Sequence, residues 1–312
     1  MNHEVILDTL KHLSPPSAED EYTMYPVIAD LFYLGKTYEG HSCVLLQYPP
    51  GVKLSAGRKT KGLALKYYNE NQFTVNGLQT GSSWAVVTCL DENSLYVFSV
   101  LSEGVYGEAE AGRMASPTDI LEYVSEWQDL LASCREMDRK QLIGLWGELF
   151  FICSSGNIEK AVSCWYGPEA KKFDFSSPGS DIEVKTSLKG HYHTFSWDQL
   201  SASKSGCERH IFSIYAQEDL SGGLTVNDLA DKIRADLIKV DLFEKKLLSA
   251  GYSGPVENET KLNEKSLTMV AVDDVPKVIS TDPGVYNVHF ESDLTFCNKS
   301  DIQSVIRKFI EG

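Results

Sequence analysis

Between Phe173 and Thr186 the chain spells out a β-hairpin in which apolar and polar side chains alternate. Ile182, Val184 and Thr186 fall on one face of the second strand, and Asp181, Glu183, Lys185 and Ser187 on the other, as a strand with one face in a core requires. Phe173 and Phe175 flank Asp174 in the same way, and Ser176-Ser177-Pro178-Gly179-Ser180 between the segments is a cluster of turn formers. Matching the apolar faces sets Phe175 opposite Ile182 and Phe173 opposite Val184. The same register puts Asp174 across from Glu183, and a slip of one residue would mix the faces. Cβ atoms so placed are about 5 Å apart, and like charges there are destabilising unless a positive charge lies between them. A divalent cation would supply it. Lys185 lies roughly 6–7 Å along the strand from Glu183, where its ammonium could position water or stabilise developing negative charge. This register also sets Lys172 opposite Lys185, so the strands are expected to splay there or Lys172 to turn to solvent. The plainer reading of the same residues is a solvated strand face with a weak ion pair, and an Asp that opens a turn.

Upstream, QLIGLWGELFFIC from Gln141 to Cys153 is helix-length and apolar almost all round, the mark of a buried helix. Gly144, Gly147, Glu148 and Phe151 share one of its faces, so a lone carboxylate projects from a strip of small residues where the helix can approach another backbone closely. A buried, unpaired carboxylate is costly. Glu148 therefore needs a partner, either a metal ion or a base such as Lys140.

Glu148 on a helix, Asp174 at the start of a hairpin and Glu183-Val184-Lys185 on its second strand together resemble the PD-(D/E)xK nuclease superfamily, with Phe173 in place of the proline before the Asp. The wider run is GLWGELFF from Gly144, then FDF and IEVKTS, and finally HTFSWDQL from His193. It resembles a bacterial branch of that superfamily found in restriction and phage-defence gene clusters. The likeness is clearest over residues 138–215. It implies an α/β (α+β) fold with a restriction-endonuclease-like core, a mixed sheet flanked by helices. It also implies Mg²⁺, replaceable by Mn²⁺, held by Asp174 and Glu183 with support from Glu148, and Lys185 as the catalytic lysine. The implied reaction is hydrolysis of DNA phosphodiester bonds by an endonuclease of a defence system.

Other residues near this segment carry two readings. Ser196-Trp197-Asp198-Gln199 is a capping box; if Gln199 acts in chemistry, it contacts substrate or orders water. His191 and His193 have no cysteine spacing for zinc and read as phosphate contacts or surface residues. Lys171, Lys172, Lys185, Lys189, Lys204 and Arg209 form a basic set around the site, with Lys172, Lys189, His193 and Lys204 as candidate substrate contacts. Gly51 to Tyr68 carries Lys53, Arg58, Lys59, Lys61 and Lys66 without an acid, either an exposed loop or a second phosphate-facing stretch.

The net charge of −15 argues against a nonspecific DNA coat, which needs a broad positive surface to displace counterions. It fits an enzyme that depends on a partner protein of a defence system to load substrate. No apolar leader and no run of about 18 apolar residues is present, so neither a signal peptide nor a membrane span is expected. Seven cysteines without C-x-x-C pairs point to reduced thiols and a cytoplasmic location. A double-strand break needs two active sites, which a homodimer would provide, although no zipper pattern marks one.

The expected organisation is a β-rich domain over residues 1–115 and a nuclease-like domain with an α/β extension over 116–312. In the first, a short helix near Tyr25 to Leu34 precedes strands at His41–Tyr48, Gly62–Tyr68, Ser83–Cys89 and Ser94–Leu101, for DNA engagement or partner docking. Glu103 to Ser116 is the expected boundary. A helix from Pro117 to Ser133, a strand at His210–Ala216, and helices at Thr225–Val240 and Leu242–Ala250 follow. A loop from Tyr252 to Asn263 leads to strands at Leu267–Val272 and Val285–Phe290 and a final helix at Asp301–Ile310. A noncatalytic nuclease-fold scaffold or DNA-binding subunit is the competing class, and RNA cleavage a third, because the same metal site serves either backbone.

Overall fold

A computed structural model describes the chain apart from residues 20, 71, 73, 76–77, 92–93, 134–136, 167–172, 202–205, 220, 239, 253–259 and 280–283. It is mixed α/β and divides into two compact units, Met1–Arg135 and Glu136–Gly312. The division falls after Arg135 because the helix opening at Pro117 belongs to the first unit: Tyr67 donates to the Pro117 carbonyl (2.7 Å) and Arg58 to Ser125 (2.6 Å). The turn expected at Asn76-Gly77 and the middle of the 252–263 loop lie outside the described residues.

The first unit opens with α1 (His3–His12), whose first-turn amide at Val5 is capped by Asn2. Strands β1 (Thr23–Ile28), β2 (Phe32–Lys36), β3 (Ser42–Tyr48), β4 (Arg58–Lys59), β5 (Leu63–Tyr68) and β8 (Ser83–Cys89) form one antiparallel sheet in the order β1-β2-β3-β8-β5-β4. A small ribbon, β6 (Thr74–Val75) with β7 (Leu78–Gln79), precedes β8, and α2 (Leu95–Glu110) and α3 (Pro117–Ser133) follow it. Two expectations are corrected here. The helix expected over Tyr25–Leu34 is the β1–β2 hairpin: Pro26 disfavours helix at Tyr25 and occupies an edge strand, and Asp30 turns the chain at φ 57°. The strand expected at Ser94–Leu101 is the first half of α2, because Val97, Leu101, Val105 and Ala109, all buried, repeat every four residues.

The second unit contains α4 (Arg139–Ser154), α5 (Ile158–Cys164), β9 (Phe175–Ser177), β10 (Ser180–Ser187), β11 (Tyr192–Ser196) and α6 (Trp197–Ser201). These are followed by β12 (Glu208–Glu218), α7 (Val226–Asp236), α8 (Asp241–Ser249), β13 (Leu262–Ala271), β14 (His289–Asp293) and α9 (Ile302–Glu311). The main sheet runs β13-β12-β10-β9, with β10 and β12 parallel and the other pairs antiparallel, and β11 pairs with β14 in a separate ribbon. Local signals fix the helix starts: Asp138 and Gln141 form a capping box on α4, and Thr225 and Asp228 form another on α7.

Each face of the main sheet has its own core. Ile182, Val184, Phe212 and Ile214 pack with Leu149 and Phe151 of α4 and Phe309 of α9. Ile211 and Val270, one residue out of phase, pack with Phe173, Phe195 and Leu294. Both faces of the first half of β10 are therefore buried, and Asp181 and Glu183 lie at 3% and 5% exposure rather than on a solvated face. Phe173 and Phe175 also part company, with Phe175 packed at a tilt against Phe151 (4.6 Å between centroids) and Phe173 in the opposite core.

Gly147 brings α4 down onto β10. A Cβ there would stand 1.8 Å from Thr186 Oγ1, 3.2 Å from its Cβ and 3.3 Å from Val184 Cγ1, so the close approach expected of the glycine strip is met at this position; at Gly144 a Cβ would meet nothing. Gly147→Ala should destabilise the chain by about 1–3 kcal/mol despite alanine's better helix propensity. Adding Thr186→Ala should recover part of that loss in chemical denaturation; an unchanged midpoint for Gly147→Ala alone would contradict this packing.

Candidate active site

The expected hairpin register is present, with Ser177 opposite Ser180, Ser176 opposite Asp181 and Phe175 opposite Ile182. The ladder stops there, so the expected pairings of Phe173 with Val184 and of Asp174 with Glu183 do not form, and Lys172 lies outside the described residues. At Asp174 the chain leaves β10: its carbonyl accepts from the Tyr166 amide (2.8 Å), and Phe175 bridges to Trp165. The Asp174 carboxylate takes over the ladder's role, accepting the Val184 amide at 2.8 Å. Asp174 is thus held against β10 by its side chain rather than as a cross-strand neighbour of Glu183.

Glu183 and Lys185 share the β10 face, and the Lys185 ammonium lies 2.7 Å from a Glu183 carboxylate oxygen. Lys185 also stands 5.7 Å from the Phe195 ring centre, and its side chain keeps 25% exposure. Glu148 reaches toward the same group from α4, and its hydrogen-bond partner is not Lys140 but the Trp165 indole, which donates to it at 2.6 Å. A buried indole N–H needs an acceptor. Nothing in the local sequence pairs Trp165 with a residue seventeen positions upstream.

Glu148, Asp174, Glu183 and Lys185 line a cleft of about 610 Å³, within the range of ligand pockets. Arg139, Lys140, Tyr192, His193 and Thr194 border it as well. Arg139 and Lys140 were missed as site residues because only the fold brings the first turn of α4 to the cleft. His193 is buried and accepts or donates at Ser213 (2.6 Å) instead of lying on the surface. Lys189 is exposed beyond the end of β10, and Gln199 sits on α6 with its amide donating to Ser196 (3.2 Å), as the cap predicts; neither lines the cleft. Asp181 is held by Ser176 (2.6 Å) and Cys207 (3.4 Å). Lys171, Lys172 and Lys204 lie outside the described residues. In the first unit, Lys59 and Lys66 share a cleft with Glu19, Glu21 and Glu39, so that part of the basic stretch does not form a uniformly positive face.

Charge crowding sets the ionisation of the cleft. Burial, then the charges of Glu183 and Glu148, push Asp174 well above the ordinary carboxylate range, against the Val184 amide and Lys185. Burial raises Glu148 to about 7, the Trp165 hydrogen bond opposing it and Glu183 adding to it. For Lys185, burial works against the charge, but Glu183, Asp174 and Glu148 outweigh it and the pKa rises.

Carboxylate oxygens are the ligands that hard divalent cations take, and Asp174 and Glu148, raised first by burial and then by neighbouring carboxylates, carry an ionisation cost such a cation would lower. The donor chemistry fits. Among the described residues no three His, Cys, Asp or Glu side chains converge to hold an ion as they stand, since each acid is turned to a donor of its own.

The model of the family described as "Putative PD-(D/E)XK family member, (DUF4420)" matches residues 10–295. The chain belongs to this family. Its sheet, hairpin and α4 are accordingly those of a nuclease-like fold, and the match extends across both compact units. No curated protein and no solved structure matches the chain. Among the described residues no helix is long and apolar enough to cross a membrane, and Cys43, Cys89, Cys153, Cys164, Cys207 and Cys297 are free thiols.

The raised Glu148 pKa has a consequence for stability. Between its ordinary value of 4.5 and about 7, the unfolded chain releases the proton that the folded chain keeps, so stability falls as pH rises through that window and levels off above it. Glu148→Gln, which still accepts from Trp165, should flatten the slope and stabilise the protein at neutral pH by on the order of 1–3 kcal/mol. Urea denaturation across this range checks it; parallel curves for the two proteins would contradict the assignment.

Proposed function

We propose that this protein is a Mg²⁺-dependent nuclease, with Mn²⁺ able to substitute, that hydrolyses DNA phosphodiester bonds, an endonuclease of a bacterial restriction or phage-defence system. The observation that carries the reading is the ion pair of Lys185 with Glu183 at 2.7 Å, with Glu183 adding to the effect of burial on both Asp174 and Glu148 in the same cleft. A structural ion pair needs neither of the further acids, and buried like charges are costly without a cation to serve. Perturbed acids gathered in a cleft are the mark of a working site.

Asp174 and Glu183 would hold the ion, with Glu148 supporting it, and the ion would supply Lewis-acid polarisation of the phosphate and a lowered pKa for the attacking water. Lys185, charged throughout the working pH range, places an ammonium where negative charge develops on phosphorus-bound oxygens. Phe195 on one side and Glu183 on the other restrict the lysine's travel. Arg139 and Lys140 at the cleft border, with Lys189 and the lysines at 172 and 204, are the proposed contacts to the nucleic-acid backbone. Domain 1–115 and its extension to Arg135 would engage DNA or a partner protein. The acidic surplus, 44 acids against 29 bases, fits weak intrinsic affinity for DNA and loading by a partner.

One observation favours a noncatalytic scaffold: each acid already has an internal donor. Cleavage of plasmid and single-stranded DNA with Mg²⁺, Mn²⁺ or EDTA separates the readings. Asp174→Ala, Glu183→Ala and Lys185→Ala should each lower the metal-dependent rate by at least about 100-fold, with folding checked by circular dichroism. Cleavage retained in all three would remove the assignment.

A further inference from the structure

Behind the cleft, the sheet carries a hydrogen-bonded row of side chains that the proposed chemistry has not used. Ser213 of β12 lies directly opposite Lys185 in the parallel ladder and is fully buried. Its hydroxyl is 2.6 Å from Nε2 of His193, which lines the cleft, and 2.7 Å from Nδ1 of His191. Nε2 of His191 is in turn 2.9 Å from the hydroxyl of Ser266, which is exposed on β13. A neutral imidazole has one donor and one acceptor nitrogen, and a hydroxyl has one proton. All three contacts are therefore met when each group donates to the next, in either direction along the row.

We propose that His193, Ser213, His191 and Ser266 form a proton relay between the floor of the candidate active site and solvent, with Ser213 as its central positioning residue. The proposal rests on the nuclease reading and adds a path for the proton released when water attacks phosphorus. As a water O–H bond breaks, an N–H bond forms at His193 Nδ1, and the Nε2 proton passes to Ser213. The Ser213 proton passes to His191 Nδ1, the His191 Nε2 proton passes to Ser266, and the Ser266 proton passes to bulk water. Each bond formed matches one broken, no electrons are transferred, and no imidazolium is left behind. The row then stands in the opposite direction; it resets when Nδ1 gives its proton to the leaving oxygen and Ser266 takes one from solvent. Burial, then the neighbouring charges of Lys185 and His191, lower His193 to about 3, which disfavours the imidazolium and suits a concerted shift. Burial lowers His191 as well. A row that only filled the core would have no need to run from a cleft-lining ring to an exposed hydroxyl.

The test compares the full-length chain with Ser213→Ala, Ser213→Thr and His191→Leu, measuring kcat and KM for Mn²⁺-supported DNA cleavage, the solvent isotope effect, and the histidine ring tautomers by ¹⁵N NMR. Ser213→Ala and His191→Leu should lower kcat by about 10- to 100-fold, up to the lower end of direct acid–base contributions, with KM changed less than about twofold and the isotope effect reduced. Ser213→Thr, which keeps the hydroxyl, should restore kcat. The His193 tautomer signal should shift in Ser213→Ala, a readout independent of cleavage. Full kcat in Ser213→Ala, or ring signals unmoved by it, would overturn the relay while leaving the nuclease reading in place. Wild-type protein that fails to cut with any metal would overturn that reading and the relay's role with it.

Discussion

The ion pair between Lys185 and Glu183 is the point around which the second unit is organised, because it holds charge in a place the fold has largely closed to water. Glu183 is 5% exposed, and burial, with the neighbouring carboxylates adding to it, raises the pKa values of Asp174 and Glu148. A lysine in such a site would ordinarily lose its proton to desolvation. Here the surrounding carboxylates reverse the sign and keep it charged. Burial and the same crowding together leave Asp174 and Glu148 reluctant to ionise, so the cleft as it stands is short of positive charge. That shortage is the physical content of the proposal that a divalent cation completes it.

Position follows from backbone events that are individually simple. The hairpin closes through the Ser180–Ile182 register, then separates at Asp174, which frees the edge of β10 beyond Ile182 and makes room for a cleft. The Asp174 side chain bridges the gap by taking the Val184 amide. Gly147 lets α4 approach the face of Val184 and Thr186, bringing Glu148 to the same edge, and Trp165 fixes its carboxylate. Beneath, the β11–β14 ribbon supplies Phe195 and the buried His193, the floor against which Lys185 lies.

Much of this was legible in the residues. Alternation in β10 and the turn cluster before it gave the hairpin and its register, and the apolar helix with one carboxylate gave α4 and Glu148. Capping residues placed the starts of α6 and α7, borne out at Ser196 and Thr225. What the sequence hid was tertiary. The second core below β10, which turns a solvated face into a buried one, joins Phe173 to Phe195, Ile211, Val270 and Leu294 from separate later elements, and periodicity within β10 cannot announce it. Trp165, Ser213 and the first turn of α4 reach the site only through packing. In the first unit, β-branched and aromatic content suggested a strand where a four-residue repeat, Val97 to Ala109, imposes helix α2.

The central claim is that the crowded carboxylates form a cation site whose occupation costs them protons. Isothermal titration of the protein with Mn²⁺ at about neutral pH, in buffers of different ionisation enthalpy, reads both the binding and the protons released, since metal ligands must be deprotonated. The account predicts binding accompanied by net proton release, and loss of both in Glu183→Gln. No binding heat in any buffer, or binding without proton release that persists in Glu183→Gln, would contradict it.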